Sequence, residues 1–325
     1  MKLRTFLKIS ATGLACLAMQ AFAQTWPAKP ITVIVPFAAG GGVDSTARLL
    51  VPKIAESLKQ SMVIENVAGA AGTIGTQKAA RAAADGYTLL FAVASPLNVA
   101  PLVAPAAVRY DTFKDFVPLS TVAIGPFVLI GRSTLEAKTT AELIRIVRAN
   151  PGKLNFGTDG VGTSLHVTGE LIKQRANLDI VHVPYKSGPQ VLTDVAGGQV
   201  DLAILPLGLA QPFIRDGKVR AYGVTSKTRW SSLPDVPSLA ENADLHDFDV
   251  ESWLGMLAPA GLPEPIVTAL IKSIDAATKD PEIMRKLVEI GNKPIAIAGP
   301  KFGDYLARER QLIQGAVIRA NIKTE

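Results

Sequence analysis

Cysteine is nearly absent from this chain of 325 residues: Cys16 is the only one, and it lies in a stretch that reads as a removable leader. With no thiol left after removal, disulfides, thiolate metal sites and covalent thiol catalysis are excluded from the mature protein. Histidine is scarce, at positions 166, 182 and 246. His166 and Glu170 stand one helical turn apart, yet no third ligand follows at a metal-site spacing, so no metal is expected. His182 lies in an apolar strand and reads as packed core. There is no G-x-S-x-G elbow, zincin helix or dinucleotide fingerprint, and the residue after Gly162 is Thr163 where a phosphate loop needs lysine. The spacing of Asp44, Asp159 and Asp201 pairs none of them as acid and base. The chain is therefore read as a non-enzyme without cofactor or catalytic residue. Beyond residue 23 no apolar run approaches the roughly 20 residues that cross a bilayer, despite a mean hydropathy of +0.26.

What is present begins with the leader. Lys2, Arg4 and Lys8 precede an apolar stretch from Ile9 to Met19, and Ala21-Phe22-Ala23 supplies a small-x-small cleavage pattern. Export with cleavage after Ala23 is the expectation, and it places the mature chain in the periplasm. Removing the leader lowers Lys+Arg from 34 to 31 against 28 acidic residues, a net of +3. Those cations are scattered rather than striped, which argues against nucleic acid. A monomer is expected.

Periodicity gives an α/β chain. Ile31 to Pro36 is a β-branched run, and Val43, Ala47, Leu50, Val51, Ile54 and Leu58 then recur at helical spacing. Strands over 62–65 and 87–93, with a helix over 74–84 between them, continue the pattern. A second series runs from a strand at 127–130, through a helix capped by Thr139 and Glu142, to strands at 154–156, 180–183, 200–205 and 219–224 with helices at 163–175 and 189–195. The last part, from Trp253 onward, holds helices near 265–277, 281–287 and 301–318. That is more helix than a third unit needs, so the chain is expected to return and cover the first. The resulting expectation is a leader at 1–23, one lobe from 24–124 plus 251–325, and a second from 125–250. The lobes would be doubly wound, with a cleft between them and two crossovers. Hinges are expected near 122–125 and 249–253.

Two loops are the main candidates for binding. In the first lobe Phe37, Ala38, Ala39, Gly40 and Gly41 lead from a strand into a helix that carries Asp44 in its first turn. Backbone amides and a helix N-terminus there suit an anion, although such glycines also simply make tight turns. In the second lobe the same position is filled by Thr158, Gly162, Thr163, Ser164 and His166, whose hydroxyls could hold a carboxylate or merely cap the helix. Ser95 and Asn98 follow a strand and would line the same cleft, or form a plain turn. Facing loops of this kind describe a clamshell, or Venus flytrap, for a negatively charged small molecule.

Short motifs along the whole mature chain carry a resemblance. Trp26-Pro27-Ala28-Lys29-Pro30-Ile31, Gly41-Gly42-Val43-Asp44, Asp85-Gly86-Tyr87, Asn150-Pro151-Gly152, His166 with Glu170, Val181-His182-Val183-Pro184-Tyr185-Lys186 and Leu233-Pro234-Asp235-Val236-Pro237 resemble the Bug-type, or TctC-like, extracytoplasmic receptors of tripartite tricarboxylate transporters. The resemblance implies a type II periplasmic-binding fold, a small organic acid as ligand, and membrane permease subunits as partners. It implies that Phe37 to Gly41 hold one carboxylate and Thr158 to Ser164 the other end, and it adds Pro184 and Leu205 to the cleft. Where the family commonly carries an Asp-Asn pair, this chain reads Leu205-Pro206. Loss of that aspartate implies that an amino acid's ammonium would lie unpaired, so non-aminated acids would be favoured. Two other roles stay open: a sensing adaptor for a membrane kinase, and a periplasmic enzyme on the same fold.

Overall fold

The computed structural model describes residues 26–319 and Ile322. The leader and its cleavage point lie outside the described residues. β1 (Ile31–Val35) is apolar along almost its whole length because it is the middle of three parallel strands, between β2 (Met62–Asn66) and β3 (Thr88–Ala92). α1 (Gly42–Leu58) buries Ala47, Leu50, Val51 and Ile54 and stops where Lys59 turns left-handed, φ 52°. α2 (Thr73–Ala80) is shorter than its periodicity suggests; Asp85 then accepts a hydrogen bond from the Tyr87 amide and turns the chain into β3.

β4 (Phe116–Arg132) follows as a single strand of 17 residues, of which only the end at 127–130 is legible in the sequence. Pro118, Gly125 and Pro126 disguise its first half. The second series then forms close to expectation: α3 (Thr140–Ala149), β5 (Asn155–Thr158), α4 (Ser164–Ala176), β6 (Val181–Pro184), α5 (Gly188–Ala196) and β7 (Leu202–Pro206). Thr139 caps α3 by accepting from the Glu142 amide, but the Glu142 carboxylate reaches back to the amide of Lys138 instead of Thr139. An unexpected helix, α6 (Leu207–Arg215), precedes β8 (Val219–Val224). Pro212 in its interior hides it from sequence. β9 (Glu251–Pro259), α7 (Glu264–Thr278), α8 (Pro281–Glu289), β10 (Lys293–Pro294) and α9 (Pro300–Arg319) complete the chain.

The strands form one mixed sheet in the order β2-β1-β3-β9-β4-β7-β5-β6, with β8 and β10 also pairing β4. β4 changes partner along its length. Up to Pro126 it runs antiparallel to β9, and from Phe127 it runs antiparallel to β7 and β8. The buried hydroxyl of Thr225 stitches this crossing, accepting from the Phe127 amide at 2.9 Å and donating to the Val250 carbonyl at 2.6 Å. The apolar clusters sort on either side of it. One draws only on residues 127–248, whereas two others combine residues 31–123 with residues 253–306. α7 and α8 pack back on α1, where Lys53 pairs with Asp280 at 3.1 Å.

Contacts between the two halves flank the crossing. Gly208, at the start of α6, lies so close to the Ile290 carbonyl that a Cβ would stand 2.0 Å from its oxygen. On the other side Val167 packs against Val99, Val103 and Val317. Beneath that contact Glu309 of α9 is partly buried and accepts from Trp253 Nε1 at 2.8 Å and from Asn98 Nδ2 at 2.7 Å. Burial pushes the Glu309 carboxyl up to about 7, only partly offset by those two donors.

A carboxyl raised in the folded state loses stability as pH climbs from its unfolded value of about 4.5 through 7. Relative to Glu309→Gln, the parent protein should therefore lose melting temperature between about pH 4.5 and pH 7 and level off above that. Thermal unfolding followed by circular dichroism measures this, and parallel curves for both proteins would refute it.

Candidate functional site

A cavity of about 580 Å³ opens between the two halves. Five segments wall it: Phe37 to Val43, Ala68 to Gly72, Asp159 to Val161, Pro184 to Pro189, and Pro206 with Leu209. Three of these contain helix starts. Gly42 and Val43 open α1, Gly188 and Pro189 open α5 behind Ser187, and Leu209 lies in the first turn of α6 behind Pro206. None of the three is capped by a side chain. First-turn amides without internal partners, at the positive end of each helix, make the cavity attractive to an anion.

The first-half loop is held from behind. Asp44 is buried, and its carboxylate accepts from the Gly40 amide at 2.8 Å, Asn66 Nδ2 at 2.9 Å and Arg48 Nε at 2.8 Å. Burial alone would raise its pKa, but these bonds and the Arg48 charge outweigh it and keep the carboxyl below its usual range. Asn66 also donates to the Phe37 carbonyl at 3.1 Å, so one amide and one carboxylate fix both ends of the loop. Beside this loop, with Gly72 against Phe37 and Pro36, residues 69 to 72 all have positive φ, at 131°, 47°, 55° and 87°. Two of them, Ala70 and Ala71, are not glycine, so this wall is locally strained.

The second-half loop is held by the hydroxyls predicted for it, but from beneath. Thr158 is fully buried and its Oγ1 lies 2.7 Å from His182 Nε2. Thr163 caps α4 by accepting from the His166 amide and donates to the Gly160 carbonyl. The Gly162 amide donates to His166 Nδ1 at 3.3 Å, and His166 stacks on His182 with ring centroids 4.3 Å apart. Burial pushes the His182 pKa down to about 3 and lowers that of His166, so the surroundings disfavour the charged form of both rings.

Of the residues placed at the cleft from sequence, Phe37, Ala38, Gly41 and Pro184 line the cavity. Ala39 and Gly40 are exposed on the same loop, while Asp44, Thr158, Gly162, Thr163 and His166 support the walls without being among the lining residues. Ser95 and Ser164 meet each other instead: Ser95 Oγ donates to Ser164 Oγ at 3.0 Å and accepts from the Ser164 amide at 2.9 Å, which bridges the two halves. Asn98 is buried against α9. Leu205 is completely buried in β7 and is not among the lining residues. Asp159 instead brings a carboxylate to the wall. The walls at 68–72 and 185–189 escape a reading of the sequence; the turn-forming runs Gly69 to Gly72 and Ser187-Gly188-Pro189 are the signal that could have found them.

Removing the Asp44 carboxylate leaves the Gly40, Asn66 and Arg48 donors without an acceptor. Asp44→Ala should cost about 3 kcal/mol of stability, read as a lower urea midpoint. Full retention of the midpoint would contradict the bracing role.

The model for the tripartite tricarboxylate transporter family receptor, TctC, matches residues 46–321. A Pseudomonas sp. (strain P51) protein described as a UPF0065 protein in the tcbD-tcbE intergenic region is 36% identical over 299 residues, covering 91% of this chain and 87% of its own. The solved periplasmic binding protein BugD superposes with a TM-score of 0.87 at 31% identity over 92% of this chain and all of its own. An R. palustris protein solved with adipate gives 0.88 at 32% identity, covering 92% of this chain and 99% of its own. MatC from Rhodopseudomonas palustris, solved with bound malate, gives 0.79 at 31%, covering 91% and 98%. These matches and the α/β fold agree with the resemblance carried by the motifs, and the chain belongs to the TctC, or Bug, family of solute-binding receptors.

Proposed function

We propose that this protein is exported to the periplasm, captures a small organic acid in the cavity between its halves, and delivers it to the membrane subunits of a tripartite tricarboxylate transporter. The observation that carries the reading is the convergence of three uncapped helix starts on one cavity. An anion there satisfies amides that no side chain of the protein satisfies, and it does so at the positive ends of α1, α5 and α6. The relatives solved with adipate and malate support a carboxylate as that anion.

In this reading residues 24–124 with 251–325 form one lobe and residues 125–250 the other. The chain passes between them at 124/125 and 250/251, beside the partner change of β4 at Pro126/Phe127, so bending is concentrated there. A ligand touching α1 from one lobe and α5 and α6 from the other favours the closed form by its differential affinity for that form. The apolar remainder of the wall, from Phe37, Val43, Val161 and Leu209, suits the carbon skeleton of the acid.

Ser187→Asp separates binding from folding. Aspartate is a good N-cap, so α5 should be at least as stable, while a fixed anion occupies the amides that the ligand needs. Calorimetry should show carboxylate binding weakened by at least about tenfold with no loss of melting temperature. Unchanged affinity in the variant, or no carboxylate bound by the parent protein, would sink the proposal. Mass spectrometry of the molecule that copurifies with the protein then identifies the acid.

A further inference from the structure

The cavity carries few charges, and they are of opposite sign. Among its lining residues only Asp159 and Lys186 are charged. Lys186 is exposed at the rim, and no ion pair or hydrogen bond engages it among the described residues.

Asp159 is in a different position. Its residue is partly exposed to the cavity, but its Oδ1 is sealed from solvent and has no hydrogen-bond partner. The polar groups beside it are already engaged. Thr163 Oγ1 sends its proton to the Gly160 carbonyl at 2.9 Å, and the Gly160 amide turns back to Thr158 Oγ1 at 3.4 Å. Lys186 and Tyr185 belong to the neighbouring wall, and the Tyr185 hydroxyl donates to Asp194 at 2.8 Å. Oδ1 thus lacks a donor in a wall that excludes water from it, a state that costs free energy until something donates to it. Burial accordingly pushes the Asp159 carboxyl up to about 6, with Thr163 offsetting part of the effect.

Each kind of ligand end meets a different response there. A second carboxylate would put two anions side by side against the same loop, which the surrounding low dielectric makes unfavourable. A hydroxyl or ammonium would supply the missing donor, and an ammonium would add an opposite charge. The far end of the ligand, at the helix start of α1 in the first half, faces the reverse situation, since donors there lack an acceptor.

We infer that Asp159 makes the second-half end of the cavity a donor-accepting subsite, so that the favoured ligand is an acid with a single carboxylate and a hydroxyl or ammonium at its other end. This inference rests on the carboxylate-receptor reading above and narrows it. Asp159 is then the residue that sets which acids are taken, by accepting from the ligand's donor and repelling a second anion.

Calorimetry on the purified protein with two matched series tests this: butyrate, 4-hydroxybutyrate, 4-aminobutyrate and succinate, then hexanoate, 6-hydroxyhexanoate, 6-aminohexanoate and adipate. Within at least one series the hydroxy or amino acid should bind about tenfold tighter than both the dicarboxylate and the unsubstituted acid. Asp159→Asn and Asp159→Ser should each reduce that preference to less than about threefold, mainly by a gain for the dicarboxylate. Comparison of the hydroxy and amino members shows which donor the subsite takes. Succinate or adipate binding as tightly as the donor-bearing acids in both series would overturn the inference while leaving the receptor reading intact. An order of affinities unchanged in both variants would do the same. Absence of binding for all eight acids, at millimolar concentration and in all three proteins, would overturn the receptor reading along with it.

Discussion

Every other part of the molecule is arranged around β4, one strand that belongs to two cores. A strand must find hydrogen-bond partners along its whole length, and β4 finds β9 for its first part and β7 with β8 for its second. The exchange happens next to Pro126, which has no amide to leave unpaired, and the following amide, of Phe127, is taken by Thr225. Because the same hydroxyl also donates to the Val250 carbonyl, both chain crossings are tied to one buried side chain. The two cores are thereby kept apart yet in fixed register, and the cavity is the space that this separation leaves.

What the cavity offers chemically follows from where helices start. A parallel strand followed by a helix delivers unpaired amides to the carboxyl edge of the sheet. Here β1 into α1 does so from one half, while β6 into α5 and β7 into α6 do so from the other. The N-cap residues of those helices, Gly41, Ser187 and Pro206, form no side-chain cap, and the polar side chains nearby are spent on shape. Asp44 and Asn66 brace one loop, and Thr158, Thr163 and the stacked His166 and His182 brace the other. Burial in that stack disfavours the charged form of both imidazoles. The uncapped backbone lines the cavity and most polar side chains brace it, with Asp159 as the exception.

Much of this architecture is legible in the order of the residues. Alternation of short apolar runs with helical stripes indicates the α/β class, and glycine, threonine and aspartate mark the helix starts after Gly41 and Thr163. The first half of β4 is not legible, because Pro118, Gly125 and Pro126 interrupt the β-branched pattern of a strand whose pairing is set by distant partners. Helix α6 is hidden by Pro212, which its packing on β4, β7 and β8 overrides. Asn98 has the sequence position of a cleft residue, yet a single π-helical turn at Ser95–Val99 points it to the interior against Glu309.

The sequence by itself determined most of the elements, the glycine loops and the family, because periodicity, turn chemistry and short motifs are local properties. Only the tertiary structure decided which residues face the cavity. Leu205 and Asp159 make the contrast: one strand position is turned wholly into a core by its neighbours, and one loop position is turned toward open space with an oxygen left unpaired. Side-chain direction depends on how β5, β7 and α5 pack against one another, and no spacing in the chain encodes that packing.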